Sequence, residues 1–341
     1  MGVRKFFPNL IAKYKKVGFV FSKRDIQNNV TDGVVEKNHR HKQLINNINE
    51  LYLDANCLIH PVCFGVFYEN KSLLQSNPDK LENLMIIAVV KYIEMLIRFV
   101  NPDTLVYIAI DGVAPYAKMK QQKTRRVKTI NDHELREEVA NRYKVEYKKP
   151  WNNSAITPGT IFMDKITKGI INYLETKKEK TIGKNVKYIF STASSPGEGE
   201  HKILQYIKQQ KTRKTRVVYG LDADLLYLTM AAQVEDLFLV RELTEFQHMV
   251  SDDGFCFVDI DLMKDCIYLD MIEDLKKECI ADNTPFENLE KFKSNFIRDY
   301  IFFGFMIGND FLPSVPSTHL EFNKQHSGLN VLIESYKNVF G

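Results

Sequence analysis

The feature that most constrains the fold is a repeated alternation of short apolar runs with longer segments of helical length. Five runs rich in Val, Ile, Leu, Tyr and Phe have the length of buried strands: 50–56, 104–112, 186–191, 216–220 and 235–242. Segments that we predict to be helices lie between and beyond them: 81–100, 118–147, 157–178, 200–211 and 224–232. Strands that alternate with helices favour a parallel sheet covered on both faces. We therefore predict an α/β fold with a mainly parallel sheet flanked by helices.

The rest of the chain is organised differently. After about residue 255 the pattern becomes mainly helical, and 262–278 and 295–307 are the clearest helices. Residues 18–49 are polar and rich in Asn, which favours a surface insertion or flexible loop. Without an internal repeat or a low-complexity linker, a single domain over 1–341 is the simplest partition.

Composition excludes several classes of protein. The 341 residues are 44% hydrophobic and 26% charged, as in soluble globular proteins, and no apolar run reaches the roughly 18 residues that span a bilayer. The N-terminal stretch lacks the apolar segment and cleavage site of a secretory signal. Five scattered cysteines without a CxxC pair argue against a disulfide framework or a structural zinc site. We expect a cytoplasmic protein that does not associate with a membrane, and a nuclear location stays open.

Acidic residues follow one predicted strand after another. They are Asp54, Asp111, Glu198, Glu200, Asp222 and Asp224, and Asp310 joins them after a long apolar helix. Each alone is typical of a helix N-cap or first turn, where a carboxylate stabilises the helix dipole. Four successive strand ends with the same feature are harder to explain in that way, because ligands of open α/β sheets bind beyond the carboxyl ends of the strands.

The spacing of the acids provides a second test. In EGE (198–200) and DAD (222–224) the two acids share a side only if the backbone is extended rather than helical. Gly197, Gly199 and Gly220 make such conformations accessible. Carboxylates gathered in this number repel one another unless cations are present, and hard oxygen ligands favour Mg²⁺ or Mn²⁺. Two such ions about 4 Å apart are the standard arrangement for phosphodiester hydrolysis.

A cationic segment lies directly after Asp111. A helix that begins near Pro115 would place Lys118, Gln122, Arg125 and Arg126 on one face, as a protruding basic helix. Arg offers paired donors to phosphate oxygens, so this stripe is suited to a phosphate terminus, although a solvent-facing helix has the same composition. Three basic runs, at 117–128, 142–149 and 208–216, favour a polyanionic partner.

Several motifs occur in an order that resembles the XRN family of 5′-to-3′ exoribonucleases. They are MGVRKFFPNL, LDANCLIH, YIAIDGVAPYAKMKQQKTRR, PGTIFM, SSPGEGEHKI, YGLDADLLYL and GFMIGNDFLPSVP, and they cover nearly the whole chain. The resemblance implies the first conserved region of those enzymes, with a PIN-like (Rossmann-like) core related to flap endonucleases. It also implies Mg²⁺-dependent, processive hydrolysis of single-stranded RNA that bears a 5′ monophosphate, which releases nucleoside monophosphates.

The resemblance also implies roles for individual residues. The family's metal-binding acids match Asp54, Asp111, Glu198, Glu200, Asp222, Asp224 and Asp310. Its 5′-phosphate pocket matches Lys118, Gln122, Arg125 and Arg126, and His60 matches a histidine that contacts the first nucleotide. Decapping or RNA-decay factors are the implied protein partners, and we expect a monomer.

This chain departs from the family pattern in three places. Cys57 stands where the family usually has Gly, the segment 18–49 has the character of an insertion, and we expect the second conserved region to be absent. Two other functions stay open beside a Mg²⁺-dependent exoribonuclease that acts in RNA decay. One is a flap-type DNA nuclease, and the other is a non-catalytic RNA-binding scaffold that kept the fold.

Overall fold

A computed structural model provides the coordinates of the chain. The described residues are 6–14, 17–22, 47–147, 150–180, 185–242, 254–281, 291–309, 312–316, 318 and 328–340. The chain divides into two compact units, Met1–Leu51 with Leu204–Gly341 (unit 1) and Tyr52–Ile203 (unit 2). The single nuclease domain expected from the sequence stays a prediction.

Seven strands are present in the described residues. In chain order they are β1 (Gly18–Ser22), β2 (Glu50–Asp54), β3 (Leu105–Ala109), β4 (Lys187–Ser191), β5 (Arg216–Tyr219), β6 (Leu237–Glu242) and β7 (Gly254–Asp259).

The described helices alternate with these strands and then follow them. In chain order they are α1 (Phe6–Lys13), α2 (Ala55–Glu69), α3 (Leu73–Ser76), α4 (Pro78–Val100), α5 (Tyr116–Arg142), α6 (Ile161–Lys180), α7 (Gly199–Gln209), α8 (Asp224–Ala231), α9 (Ile260–Ala281), α10 (Lys293–Ile307) and α11 (Gly328–Phe340). A single 3₁₀ turn precedes α6 at Asn153–Ala155. None of the described helices combines the length and the apolar character that crossing a bilayer requires.

In unit 1 the strand order is β1-β7-β6-β5. Strands β5 and β6 are parallel, whereas β7 runs antiparallel to both β6 and β1. The apolar side chains of β5, β6 and β7 are buried, and α8 to α11 pack against one another beside these strands. Glu50, which is 1% exposed, pairs with Lys214 Nζ at 2.6 Å and with Arg216 Nε at 3.1 Å, so a buried ion-pair network fixes the start of β2.

In unit 2, β2, β3 and β4 follow one another in the sheet, and β3 and β4 are parallel. Every residue of β2 and β3 is buried. Helix α4 packs against α2 and α6 through a stripe of buried apolar residues, and Asn77 caps its N-terminus by accepting from Lys80 N–H. Helix α5 differs from all of these, because none of its 27 residues is buried.

The predicted fold class is confirmed, and each of the five predicted strands is present. Two strands were missed. β7 leads directly into α9 without a turn, since Asp259 Oδ1 accepts from Leu262 N–H and starts the helix at the end of the strand. β1 is stabilised by its antiparallel pairing with β7, a long-range partner that local sequence does not indicate.

The predicted insertion at 18–49 needs a correction at its start. Gly18–Ser22 is strand β1, because the apolar GFVFS pairs with β7 along its whole length. Residues 47–49 are also described, and Asn49 N–H and Glu50 N–H both donate to Thr215 O in unit 1. Residues 23–46 lie outside the described residues.

Candidate active site

Four of the predicted acidic residues lie in unit 2, at the carboxyl ends of its strands. Asp54 is the last residue of β2, Asp111 follows β3, and Glu198 and Glu200 flank the start of α7. Three of these carboxylates are buried, with Asp54 4% exposed and Glu198 and Glu200 6% exposed. Carboxylates are seldom buried unless cations compensate their charge, so their burial indicates an organised site for binding cations.

Gly199 lies against two of the carboxylates. Its N–H donates to Asp111 Oδ1 at 2.7 Å. A Cβ at this position would lie 2.6 Å from Asp54 Oδ1 and 3.4 Å from Asp111 Oδ1. The backbone at the N-terminus of α7 therefore lies directly against both carboxylates, because Gly199 has no side chain. The helix dipole favours negative charge at this end of the helix.

The prediction that Glu198 and Glu200 require an extended backbone is wrong. Helix α7 begins at Gly199, so Glu200 already lies in the first turn. The two side chains nevertheless converge, because one oxygen from each and one ring nitrogen of His201 lie within 4.8 Å of one another. Glu198 precedes the helix and Glu200 starts it, which turns both carboxylates toward His201 Nδ1, at 3.7 and 3.9 Å.

Asn56 holds Asp111 in one orientation. Its Nδ2 donates to Asp111 Oδ2 at 3.0 Å, while its Oδ1 accepts from Asp111 N–H at 3.1 Å. Since Gly199 N–H donates to Oδ1 and Asn56 Nδ2 donates to Oδ2, each oxygen of the Asp111 carboxylate accepts a hydrogen bond. Such bonds around a charged ligand fix its direction and reduce the cost of its burial.

A cysteine contacts the first acidic residue. Cys57 Sγ donates to Asp54 Oδ2 at 3.0 Å, from the first turn of α2. Cys57 is half-buried, and it is the residue where the family pattern usually has Gly. This chain thus carries a thiol donor where a glycine would offer none.

Lys202 joins the ends of two strands. Its buried Nζ donates to Ile110 O at 2.8 Å and to Thr192 O at 2.9 Å. Burial lowers the pKa of the Lys202 ammonium, and the nearby Asp111 charge acts in the opposite direction. The side chain thus fixes the backbone beside Asp111 and adds a cation close to the acids.

The loops that carry these residues interlock through two glycines. Gly112 N–H donates to Gly197 O at 2.9 Å, and Gly197 N–H donates to Val113 O at 2.9 Å. A Cβ on Gly112 would lie 1.8 Å from Ser195 O, so no side chain fits there. Gly197 has φ +96°, a conformation that glycine adopts without strain. The IDG and SSPGEGE motifs therefore form one rigid edge.

The predicted phosphate stripe begins at this edge. Helix α5 follows Pro115 as predicted, and Lys118 Nζ lies 3.2 Å from Glu198 Oε1. Lys118 and Gln122 are half-buried, whereas Arg125 and Arg126 are exposed. His60 is half-buried on α2.

The predicted polyanion role of the basic run 208–216 is not supported by its contacts in unit 1. Arg213 Nε lies 2.6 Å from Asp236 Oδ2, and Lys214 and Arg216 both pair with Glu50. These three cations stabilise the unit, so their charge is already compensated.

His201 is the one histidine of the described acidic cluster. Burial lowers the pKa of its imidazole; the Glu198 charge raises it and the Lys118 charge lowers it. A neutral imidazole offers a lone pair to a cation.

The remaining predicted acids do not belong to unit 2. In unit 1, Asp222 follows β5 and is exposed, and Asp224 is the half-buried first residue of α8. The hydroxyl of Tyr227 has its pKa raised by burial first, then by Tyr300 and by the Asp224 charge. Asp310 lies outside the described residues.

Sequence reasoning missed several residues that form this site. Three of them, Asn56, His201 and Lys202, are close in sequence to predicted acids. Only His201 and Lys202 could have been identified from the sequence, because residues in the first turn of a helix lie near the site at its N-terminus. Asn56 and the Cys57 thiol contact carboxylates through a helix that was not predicted, so no local pattern indicates them.

The donor set of unit 2 fits a hard divalent cation. Asp54, Asp111, Glu198 and Glu200 outnumber Lys118 and Lys202, which leaves an excess of negative charge in a largely buried space. Carboxylate oxygens in such a cluster are the ligands of Mg²⁺ and Mn²⁺, and one ring nitrogen of His201 lies within 4.8 Å of the Glu198 and Glu200 oxygens.

Residues 1–243 match the family model described as XRN 5′-3′ exonuclease N-terminus. The chain belongs to the XRN 5′-3′ exonuclease family. A second model, described as Xrn1 helical domain, matches residues 291–341, which include α10 and α11 of this XRN chain. The expected absence of a second conserved region stays a prediction.

Individual relatives of this XRN chain extend the match. It is 34% identical over 311 residues to 5′-3′ exoribonuclease 2 of Schizosaccharomyces pombe, with 79% of this chain and 30% of the relative covered. It is 34% identical over 312 residues to 5′-3′ exoribonuclease 1 of Saccharomyces cerevisiae, covering 85% and 19%. The relative in Gallus gallus, 5′-3′ exoribonuclease 2, is 32% identical over 386 residues, covering 99% and 39%. The chain thus spans between about a fifth and two fifths of the length of these relatives.

Proposed function

We propose that this XRN chain is a Mg²⁺-dependent 5′-3′ exoribonuclease. Its substrate is single-stranded RNA with a 5′ monophosphate, and its products are nucleoside monophosphates. The observation that carries the proposal is the 3.2 Å approach of Lys118 Nζ to Glu198 Oε1. It brings the first cation of the phosphate stripe to the edge of the acidic cluster, so an end-binding surface and a hydrolytic site are continuous.

In this proposal the acidic cluster holds the cations. Asp54, Asp111, Glu198 and Glu200 would bind them, and Asp222, Asp224 and Asp310 are proposed as further ligands. When bound, a pair of Mg²⁺ or Mn²⁺ ions supplies an activated water and stabilises the leaving oxygen of a phosphodiester. Gly199 N–H and Asn56 keep Asp111 aimed in one direction before any ligand arrives.

The basic helix selects the end of the RNA. Lys118, Gln122, Arg125 and Arg126 would bind the 5′ phosphate, and His60 would contact the first nucleotide. A terminal monophosphate satisfies the donors of this stripe, whereas a 5′ hydroxyl leaves them without an anion and a cap is too bulky. The phosphate thereby places the first internal phosphodiester beside the carboxylates.

A role in RNA decay follows from this selectivity, since a decapped RNA ends in a 5′ monophosphate. We accordingly propose that decapping or other RNA-decay factors supply the substrate and that the protein is cytoplasmic.

The decisive experiment compares three RNAs of one sequence that carry a 5′ monophosphate, a 5′ hydroxyl or a cap. Each is incubated with Mg²⁺ or with EDTA, and the products are resolved by length. We expect loss of the monophosphate species alone, only with Mg²⁺, with mononucleotides as the product. Equal cleavage of all three ends would contradict the role of the stripe, and cleavage in EDTA would contradict the role of the cations. Cleavage of flap-containing DNA in preference to RNA would favour a flap-type nuclease, and binding without cleavage would favour a scaffold.

A further inference from the structure

The charges of α5 run against the helix dipole. From Tyr116 to Thr129 the helix carries six cations and no acid, whereas from Ile130 to Arg142 it carries four acids and two cations. A helix is stabilised by the opposite arrangement, with acids near its N-terminus and cations near its C-terminus. Helix stability therefore does not explain this distribution. The 5′-phosphate role accounts for part of the basic half, and it does not account for the acidic half.

One stripe of α5 arranges its charges symmetrically about a central apolar pair. Positions that alternate in steps of four and three residues are occupied by Tyr116, Lys120, Lys123, Val127, Ile130, Glu134, Glu137 and Asn141. All eight are exposed, including the apolar pair at the centre, where Val127 is 48% and Ile130 56% exposed. Positions at this spacing lie on one face of a helix, so they can all contact a second helix that packs along its length. We call these eight residues the α5 seam.

The order of residues in the α5 seam is complementary to its own reverse. When a second α5 lies antiparallel with Val127 opposite Ile130, Lys123 faces Glu134 and Lys120 faces Glu137. Tyr116 then faces Asn141, and each of these pairs occurs twice by two-fold symmetry. A parallel arrangement would instead set lysine against lysine and glutamate against glutamate, which is repulsive.

We propose that the α5 seam binds a second copy of this chain, as an antiparallel helix pair with an apolar centre and charged layers on both sides. The contact is weak and reversible, because each copy contributes only Val127 and Ile130 to the apolar centre and contacts of a single helix bury little area. Its charged layers make it sensitive to salt. This proposal replaces the monomer expected from the sequence, and it does not depend on the proposed nuclease function.

The proposed pairing leaves Lys118 and Arg125 of the phosphate stripe accessible. Successive residues of a helix are 100° apart, so Lys118 and Arg125 point to the side opposite Lys120 and Lys123. Lys118 faces Glu198 of its own chain. His133, which is not part of the α5 seam, has its Nδ1 hydrogen-bonded to Tyr147 OH at 2.6 Å. This contact of the segment after α5 therefore does not involve a seam residue.

A charge swap tests the proposal. The 341-residue chain is examined by sedimentation velocity over a concentration series, at low and at high salt. We expect a monomer–dimer equilibrium that high salt weakens. Lys120→Glu with Lys123→Glu sets acids against acids, and Glu134→Lys with Glu137→Lys sets cations against cations. Each double variant alone should weaken dimerisation at least about tenfold.

An equimolar mixture of the two double variants is the decisive sample, because their seams are again complementary. It should form a heterodimer about as tightly as the original chain. The matched control is Lys128→Glu with Arg136→Glu, two charge reversals outside the seam, which should leave dimerisation unchanged, and circular dichroism verifies folding of each variant. A chain that stays monomeric at every concentration, or a mixture that does not restore association, would overturn the proposal.

Discussion

Two motifs with the same pattern, acid–small residue–acid, follow strands and lie at the starts of helices. They differ in how deeply their carboxylates are buried. In unit 2, Glu198 and Glu200 are both 6% exposed, and the residue between them is Gly199. In unit 1, Asp222 is exposed and Asp224 half-buried, and the residue between them is Ala223. The pattern of acids alone therefore does not determine whether a carboxylate pair is buried.

The middle residue accounts for part of the difference. Gly199 allows the backbone of α7 to reach the carboxylates of Asp54 and Asp111, where a side chain would collide. Ala223 already carries a Cβ, so the backbone at this position is not bare as it is at Gly199. Lys118 compensates the burial of Glu198, and the Gly199 N–H bond stabilises the charge of neighbouring Asp111, which indicates a site that is organised before a cation binds.

Neutralising one acid of each motif should have the largest effect on catalysis. Glu198→Gln and Asp222→Asn remove a proposed metal ligand while keeping the shape of the side chain. We expect each to lower the single-turnover cleavage rate of 5′-monophosphate RNA by about 10³-fold or more, because both motifs are proposed to hold the catalytic cations. RNA binding should change little.

The control for this pair is Asp164→Asn, an exposed acid of α6 that pairs with Lys168 in the next turn. It should cleave at the original rate. If Asp222→Asn also cleaves at that rate while Glu198→Gln does not, the exposed motif is not part of the catalytic site. Cleavage by Glu198→Gln at the original rate would reject the buried motif.

The middle residue gives the next largest effect. Gly199→Ala places a Cβ 2.6 Å from Asp54 Oδ1, so the helix start or the carboxylate must shift. We expect a loss of about 2 kcal/mol in the free energy of unfolding, although alanine is otherwise the better helix former. Urea unfolding followed by circular dichroism measures this change, and the cleavage rate should fall with it.

The matched substitution in the other motif is Ala223→Gly, which adds backbone freedom without a collision. Because Ala223 is the N-cap residue of α8, where glycine is well tolerated, the free energy of unfolding should change by less than about 1 kcal/mol. Equal losses for the two variants would mean that Gly199 is not required by its contacts.

The sequence was sufficient for the fold class because the alternation of apolar runs and helical segments is local. Each of the five predicted strands is present, and Pro115 precedes α5 as expected. The acids at the ends of β2, β3 and β4 were also identifiable, since ligands of such sheets lie beyond the carboxyl ends of strands.

What could not be predicted depends on contacts between distant segments. The role of Gly199 is set by Asp54, far along the chain, and it is steric rather than the conformational freedom that the sequence suggested. Lys202 bonds two carbonyl groups at the ends of different strands. Arg216 was one cation of a basic run, and its burial against Glu50 has no local signal.

The hydrogen bonds of Asn56 keep the Asp111 carboxylate in one orientation, so their loss should have an intermediate effect on metal affinity. Asn56→Ala removes one donor to Asp111 Oδ2 and the acceptor of Asp111 N–H. We expect about 10- to 100-fold weaker Mn²⁺ binding, as is usual for partners of metal ligands. Titration calorimetry of the chain with Mn²⁺ measures it, and Asn153→Ala, an exposed amide of unit 2, should bind as before. Unchanged affinity in Asn56→Ala would leave Asp111 positioned by Gly199 alone.

The smallest effect concerns the exposed end of the phosphate stripe. The side chain of Lys118 is 15% exposed and lies beside Glu198, whereas Arg126 is exposed, so its bond to a 5′ phosphate competes with water and salt. We expect Arg126→Ala to reduce the preference for 5′-monophosphate over 5′-hydroxyl RNA by about threefold to tenfold, and Lys118→Ala to reduce it further. The ratio of kcat/KM for the two RNAs measures this preference and cancels any general loss of activity. An Arg126→Ala ratio equal to that of the original chain would confine phosphate recognition to the half-buried part of the stripe next to Glu198, where the acidic cluster and α5 meet.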